Sequence, residues 1–234
     1  MMKKLSVVIP VYNEKNTIKE IVRQVLEVNL DIEKELIIVD DFSKDGTRDI
    51  LKSLNHPNIK IFFQEENQGK GTAIRHGFNE GSGDIFLIQD ADLEYDPNDY
   101  KRLLKPILEN KADVVYGSRF MGGNPHRILF FWHSLGNKLL TFISNIFTNL
   151  NLTDMETCYK AFRKEVITDI KDKLQSKRFG IEPELTARVG KGKWRIYEVG
   201  ISYYGRTYEE GKKINWKDGV AAIYHIIKFN IFSE

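Results

Sequence analysis

Carboxylates crowd one short stretch of this chain. In Gly83–Pro97, GDIFLIQDADLEYDP, the apolar run Ile85, Phe86, Leu87, Ile88 gives way to Asp90 and Asp92 flanking Ala91, with Glu94 two residues on. Such a run is expected as a strand buried on both faces. In extended backbone, side chains two apart share a face, so Asp90, Asp92 and Glu94 are expected to converge on one point. Gathered carboxylates repel one another unless a cation sits among them. A few hard oxygen ligands suit Mg2+ or Mn2+, whose shell is completed by water and a substrate's phosphates. The plain alternative is a solvated acidic turn before a helix, since a DxD is short.

The elements that must hold these residues follow from periodicity. Leu5–Val11 is expected as a strand, followed by a helix capped by Asn16 whose residues Ile18, Ile21, Val22, Val25 and Leu26 share one face. Leu36–Val39 and Ile59–Phe63 repeat the strand signal around a short helix carrying Ile50, Leu51 and Leu54. A helix from Lys70 to about Glu80 precedes the strand Ile85–Gln89, and Asp96-Pro97 caps the next helix before a strand at Val114–Tyr116. This βαβαβαβ order with short links predicts a parallel sheet with helices on both faces. Ligands of such sheets bind beyond the carboxyl ends of the strands. Pro10 to Glu14, Asp40 to Ser43, and Gln89 to Asp92 are therefore expected along one rim. There is no GxGxxG after the first strand and no GxxxxGK[ST], which argues against dinucleotide and P-loop chemistry.

Composition bounds the rest. The 234 residues are 41% hydrophobic and 29% charged, with formal net charge +2, an ordinary globular balance too mild to imply a nucleic-acid partner. A single cysteine, Cys158, excludes an internal disulfide and fits a reducing compartment. No linker or repeat divides the chain, so one domain is expected.

Four motifs in order, VVIPVYNEKNTI, IIVDDFSKDGT, NQGKGTAIRHGF and QDADLEYDP, resemble the family-2 glycosyltransferases of GT-A fold. YGSRF, TDMETCYKAFRKEV, FGIEPEL and YYGRTYEEGKKI extend the resemblance to the branch that transfers mannose or glucose to polyprenyl or dolichol phosphate. It implies an α/β, Rossmann-like, mostly parallel sheet, with residues 1–118 as the nucleotide-sugar half and 119–234 as the acceptor half. The resemblance implies that Pro10, Tyr12, Glu14, Asp40, Asp41, Lys70, Asp90 and Ala91 bind the nucleotide-sugar, and that Asp90, Asp92 and Glu94 hold the metal. Asp154 matches the family's candidate catalytic base, while Arg119 and Arg206 would offer planar forks to a phosphate. Each has a plainer alternative: Asp41 capping a turn with Ser43, Lys70 facing solvent, Arg119 or Arg206 in a structural ion pair. A phosphate monoester has a second pKa of about 6 and scarcely needs a base, so Asp154 is expected mainly to position groups if the acceptor is a lipid phosphate.

From Asn124 to Leu150, Ile128, Trp132, Leu135, Leu139, Phe142 and Ile146 recur every three or four residues, opposite a stripe of His133, Asn137, Thr141, Ser144 and Thr148. That is an amphipathic helix or helix pair, without the apolar run of about 18 residues needed to span a bilayer. It is expected either at a membrane surface, with Arg127 and Ser134 near the lipid phosphate, or in the core or a dimer contact. Many relatives in this branch continue into transmembrane helices. Here a last amphipathic helix, with Trp216, Val220, Ile223, Tyr224 and Ile227, favours peripheral contact at the cytoplasmic membrane face or a membrane partner protein, aided by Lys212, Lys213, Lys217 and Lys228. The rival activities are transfer to a sugar hydroxyl, nucleotide-sugar binding without turnover, and nucleotidyl transfer.

Overall fold

The computed structural model describes residues 2–122, 127–128, 130–207, 209–210 and 216–233. Seven strands form one sheet: β1 (Lys4–Val11), β2 (Glu33–Asp40), β3 (Ile59–Phe63), β4 (Ile85–Ile88), β5 (Val114–Ser118), β6 (Lys160–Arg163) and β7 (Ile196–Gly200), in the order β3-β2-β1-β4-β6-β5-β7. β1 pairs in parallel with both β2 and β4, β2 with β3, and β5 with β7. The continuous apolar runs of β1 and β4 are buried, as strands covered on both faces require.

β6 runs antiparallel between β4 and β5. Sequence periodicity gave no sign of it, because KAFR is four residues long and carries a fully buried Lys160. Its strand state is decided by the two neighbours it bridges.

Helices α1 (Ile18–Glu27), α2 (Thr47–Ser53), α3 (Lys70–Glu80), α4 (Tyr100–Leu108), α5 (Phe131–Thr148), α6 (Lys164–Ile170), α7 (Ile181–Lys191) and α8 (Trp216–Ile231) complete the domain. α1 buries Ile18, Ile21, Val22 and Val25, the expected face. Its N-cap is Thr17, one residue beyond the expected Asn16. The carbonyl of Glu14 accepts from Thr17 N and Ile18 N, and this sets the start of the helix. The Asp96-Pro97 expectation holds: the Asp96 carboxylate accepts from Asn98 N at 2.9 Å, and a 3-10 turn at Pro97–Asp99 leads into α4. α5, α7 and α8 pack on one another.

The strand order reverses at β1 and β4, where the connections leaving adjacent strands diverge and open a crevice. Three chain reversals ring it, each with a non-glycine residue in left-handed backbone: Asn13 (φ 53°) after β1, Phe42 (φ 65°) after β2 and Leu93 (φ 62°) after β4. Such conformations cost about 1–3 kcal/mol each and concentrate where a rim is held for function.

Candidate active site

The carboxylates of the Asp90–Glu94 turn are held by two cations, Lys70 and Arg206, with a tyrosine hydroxyl and a backbone N–H. Asp90 meets Lys70 Nζ at 2.9 Å, and Lys70 also reaches Glu182 at 2.9 Å. Asp92 Oδ2 accepts from Arg206 Nη2 at 3.1 Å. Glu94 accepts from Tyr203 Oη at 2.8 Å and from Arg206 N at 2.9 Å, and its Oε1 lies 3.5 Å from Nε of the guanidinium that Asp92 also meets. The three carboxylates are neighbours held by two cations, Asp92 and Glu94 by Arg206 and Asp90 by Lys70, on a chain that leaves β4 at Ile88 and reverses through Leu93. Among the described residues, no three His, Cys, Asp or Glu side chains are gathered to hold a metal. The expected third ligand, Glu94, is committed to the 203–206 segment.

Asp90 and Asp92 by themselves still suit a divalent cation. Burial, then the charges of Asp90 and Glu94, push the Asp92 carboxyl up to about 7 against the pull of Arg206. The three carboxylates of the turn face two cations, Lys70 and Arg206, which are shared with Glu182 and Glu14. Two hard carboxylates match the way Mg2+ is held when a substrate's phosphates supply the remaining ligands.

Lys70 is not a solvent-facing lysine. Burial would lower its pKa, but Asp90 and Glu182 outweigh that and hold it well above its ordinary value. Its position is fixed by Gly69, at φ 92°, where a Cβ would lie 2.3 Å from the carbonyl oxygen of Lys177. Only glycine tolerates both conditions.

At the end of β2 the two aspartates divide their work. Asp40, fully buried, accepts from Arg48 Nε at 2.6 Å and Ser43 N at 3.2 Å, and its Oδ1 has no partner among the described residues. Asp41 accepts from Gln68 N and Gly69 N at 2.7 Å each and from Asn67 Nδ2 at 3.0 Å, pinning the turn into α3. The Ser43 cap considered for Asp41 thus belongs to Asp40. Pro10 lies in β1, Tyr12 is exposed at the rim, Glu14 faces Arg206 at 3.5 Å, and Ala91 is buried within the acidic turn.

Arg119 and Asp154 form the best-defined pair. Arg119 donates from Nε to Asp154 Oδ2 and from Nη2 to Oδ1, both at 2.7 Å, and its backbone N donates to Oδ2 at 3.0 Å. Asn137 Nδ2 completes the set on Oδ1 at 3.0 Å. Burial would raise the Asp154 pKa, but Arg119 more than offsets it and holds the carboxyl below its usual value. A carboxylate with every acceptor direction filled and a depressed pKa is a poor proton acceptor.

The acceptor residues expected on and before α5 have the following surroundings. Arg127 donates to Glu210 at 2.7 Å and to the Gly205 carbonyl at 3.1 Å, and so bridges these two residues. Ser134 lies partly buried near the start of α5, three residues before Asn137. Lys212 and Lys213, and the side chains of Trp216 and Lys217, lie outside the described residues.

Residues 6–171 match the family model for glycosyl transferase family 2. The chain belongs to that family. Among curated relatives, the transferase is 28% identical to a UDP-N-acetylglucosamine–dolichyl-phosphate N-acetylglucosaminyltransferase of Methanococcus voltae, over 96% of this chain and 95% of that one. It is 29% identical to a dolichol-phosphate mannosyltransferase of Pyrococcus furiosus, over 97% of this chain, and spans 64% of that protein's length. An undecaprenyl-phosphate mannosyltransferase of Micrococcus luteus is 28% identical over 88% and 85%. Among solved structures, glucosyl-3-phosphoglycerate synthase of Mycobacterium tuberculosis, in complex with Mn2+, UDP and glucosyl-3-phosphoglycerate, superposes with TM-score 0.74 at 18% identity, covering 99% of this chain and 81% of that one. The likeness establishes the GT-A fold.

Several supporting residues of the transferase escaped sequence reasoning. Gln89 Oε1 accepts from Tyr100 Oη and Tyr159 Oη, both at 2.7 Å, anchoring the acidic turn from beneath. Tyr203, Asn137 and Glu182 hold Glu94, Asp154 and Lys70 from distant segments. Asn137 stood in the polar stripe of α5 and Glu182 in FGIEPEL, but neither pattern names the partner.

Proposed function

We propose that this family-2 glycosyltransferase moves a hexose from a nucleoside-diphosphate sugar to a polyprenyl phosphate, with inversion, as a peripheral protein at the cytoplasmic membrane face. The supporting observation is the orientation of α5. Its polar side turns inward, where Asn137 binds Asp154 and Thr141 Oγ1 accepts from Met155 N at 3.1 Å. Its apolar stripe turns outward: Ile128, just ahead of the helix, is 82% exposed, Trp132 76%, Phe142 62% and Ile146 63%. The neighbouring α8 adds exposed Val220, Tyr224 and Ile231. An apolar surface of this kind, backed by the Arg119–Asp154 pair, suits a lipid whose phosphate must reach a buried site. No helix among the described residues is long and apolar enough to cross a membrane.

The chemistry follows from the charges. Lys70 and the N-terminus of α3 would hold the diphosphate, and the unpaired Oδ1 of Asp40 would accept from the nucleoside. Asp90 and Asp92 would hold Mg2+ or Mn2+, which when bound supplies Lewis-acid stabilisation for charge on the departing nucleoside diphosphate. Arg206, 3.1 Å from Asp92, would exchange that carboxylate for a phosphate oxygen of the donor. Arg119 has Nε and Nη2 committed to Asp154, so contact with the acceptor phosphate falls to Nη1. That phosphate, largely a dianion at neutral pH, attacks the anomeric carbon from the face opposite the diphosphate. The saturated Asp154 supports an acceptor that needs no base, which weighs against a sugar hydroxyl.

The test is release of nucleoside diphosphate from GDP- and UDP-sugars, with Mg2+ or Mn2+, with and without a short polyprenyl phosphate. The expected result is release that depends on the lipid phosphate and stops with EDTA. Release with glycan hydroxyls alone, or release of pyrophosphate, would overturn it, as would donor binding without turnover under every acceptor.

A further inference from the structure

Between the two charged ends of the site sits a carboxyl oxygen with nothing to hold. Glu156 lies two residues after Asp154, in the segment joining α5 to β6. Its Oε1 is buried with no hydrogen-bond partner among the described residues, and so is Oγ1 of the adjacent Thr157. A buried polar atom left unpaired forfeits its hydration with no return. Two in succession call for an explanation such as a ligand. The residue as a whole is only partly buried, so its side chain is within reach of a ligand.

The charged groups that act on its carboxyl are Glu182, Lys160, Arg119 and Asp154. Two of these lead to opposite ends of the reaction. Glu182 binds Lys70, which binds Asp90, at the end read above as holding the diphosphate. Asp154 grips Arg119, at the end read as holding the acceptor phosphate. The anomeric carbon must lie within about 3–3.5 Å of the attacking oxygen while still bonded to the diphosphate, so the sugar ring has to occupy the space between them. Glu156 lies between residues of the two ends: Asp154, two residues before it, grips Arg119, and Cys158, two residues after it, has its Sγ 3.9 Å from the Ile88 carbonyl at the end of β4, just ahead of the acidic turn. Lys160 does not neutralise it by direct pairing: its ammonium donates to the Thr157 carbonyl and lies 5.2 Å from the centre of the Tyr116 ring. Burial and the charge of Glu182 push the Glu156 carboxyl up to about 8, against Lys160 and Arg119. Burial thus favours its neutral acid form, which is both donor and acceptor, a match for sugar hydroxyls.

We propose that Glu156 is a donor-specificity residue: its buried carboxyl oxygen hydrogen-bonds a ring hydroxyl of the hexose being transferred and sets which sugar the site accepts. This rests on the reading of the diphosphate and acceptor ends given above. A site built around a hydroxyl rejects the analogue that lacks it, because the protein group is then left unpaired.

The experiment compares Glu156→Leu and Glu156→Gln with the wild type, measuring affinity for GDP and UDP, for GDP-mannose, UDP-glucose and UDP-N-acetylglucosamine, and for the monodeoxy forms of whichever of these conjugates the wild type binds most tightly. The expected result is that Glu156→Leu binds the nucleoside diphosphate like the wild type but loses about 10²-fold in affinity for the conjugate. Its discrimination against one monodeoxy sugar should collapse to within a few-fold, and Glu156→Gln, which restores a neutral donor and acceptor, should recover most of the loss. If the leucine variant does not fold, Glu156→Asp withdraws the carboxyl by one methylene and should blunt the same discrimination. Retention of the wild-type ranking of deoxy donors, or an equal loss for nucleoside diphosphate and conjugate, would overturn the proposal. These affinities need no acceptor. A failure of lipid-phosphate-dependent turnover would therefore count against the function above, while the deoxy ranking would decide Glu156 separately.

Discussion

Asp154 occupies the position where the family resemblance placed a candidate base, yet its two oxygens are filled by Arg119 Nε, Nη2 and N and by Asn137. Its charge serves to fix a guanidinium. Asp154→Asn should therefore lower kcat about 10²-fold or more by misplacing Arg119, with no new titration in the pH–rate profile. Breaking a buried ion pair should also cost about 3–5 kcal/mol, measured by denaturant unfolding. A profile shifted as for a missing general base would contradict the positioning role. Arg119→Lys should share the kcat loss, since an ammonium cannot make the two parallel bonds that hold the fork.

At the level of elements, α5 inverts the usual arrangement of an amphipathic helix by burying Thr141 and Ser144 and exposing Phe131, Trp132, Leu139 and Phe142. The double variant Trp132→Glu, Leu139→Glu removes two exposed apolar side chains worth about 1.5 kcal/mol each at an interface. Binding to anionic phospholipid vesicles in a flotation assay should fall about 10²-fold. The melting temperature should hold, because neither side chain is in the core. The turn into α3 behaves oppositely. Gly69→Ala places a Cβ against the Lys177 carbonyl in left-handed backbone, and should cost about 2 kcal/mol, or roughly 4–8 °C in Tm, while displacing Lys70.

Across the whole molecule, the edge of the sheet opposite the site depends on one buried carboxylate. Glu35 accepts from Ser6 Oγ and Ser82 N at 2.6 Å each, and pairs with Lys4 at 2.8 Å and Lys60 at 3.2 Å. Burial would raise its pKa, but Lys4, Ser6 and Ser82 together lower it from 4.5 to about 2. A carboxyl depressed in the folded state stabilises fully above its unfolded pKa, and that contribution fades as pH falls from about 4.5 to about 2. Glu35→Gln should lower stability by about 2 kcal/mol at pH 7. Its Tm should then fall less steeply than that of the wild type on acidification through that window.

The sequence by itself determined the parallel half of the sheet, the family, and the short runs from which the site is drawn, because periodicity, capping and motif spacing are local. Ile59–Phe63 and Lys70–Glu80 needed nothing but their own residues to be recognised. The antiparallel β6 was decided by two strands far away in the chain. So were the partners of Glu94, Arg127 and Asp154, since a charge's partner across the fold leaves no trace in local spacing. An amphipathic period gives a stripe without a sign. Only packing against α7, α8 and the Asp154 segment decided that α5 keeps its polar side within and turns its apolar side out.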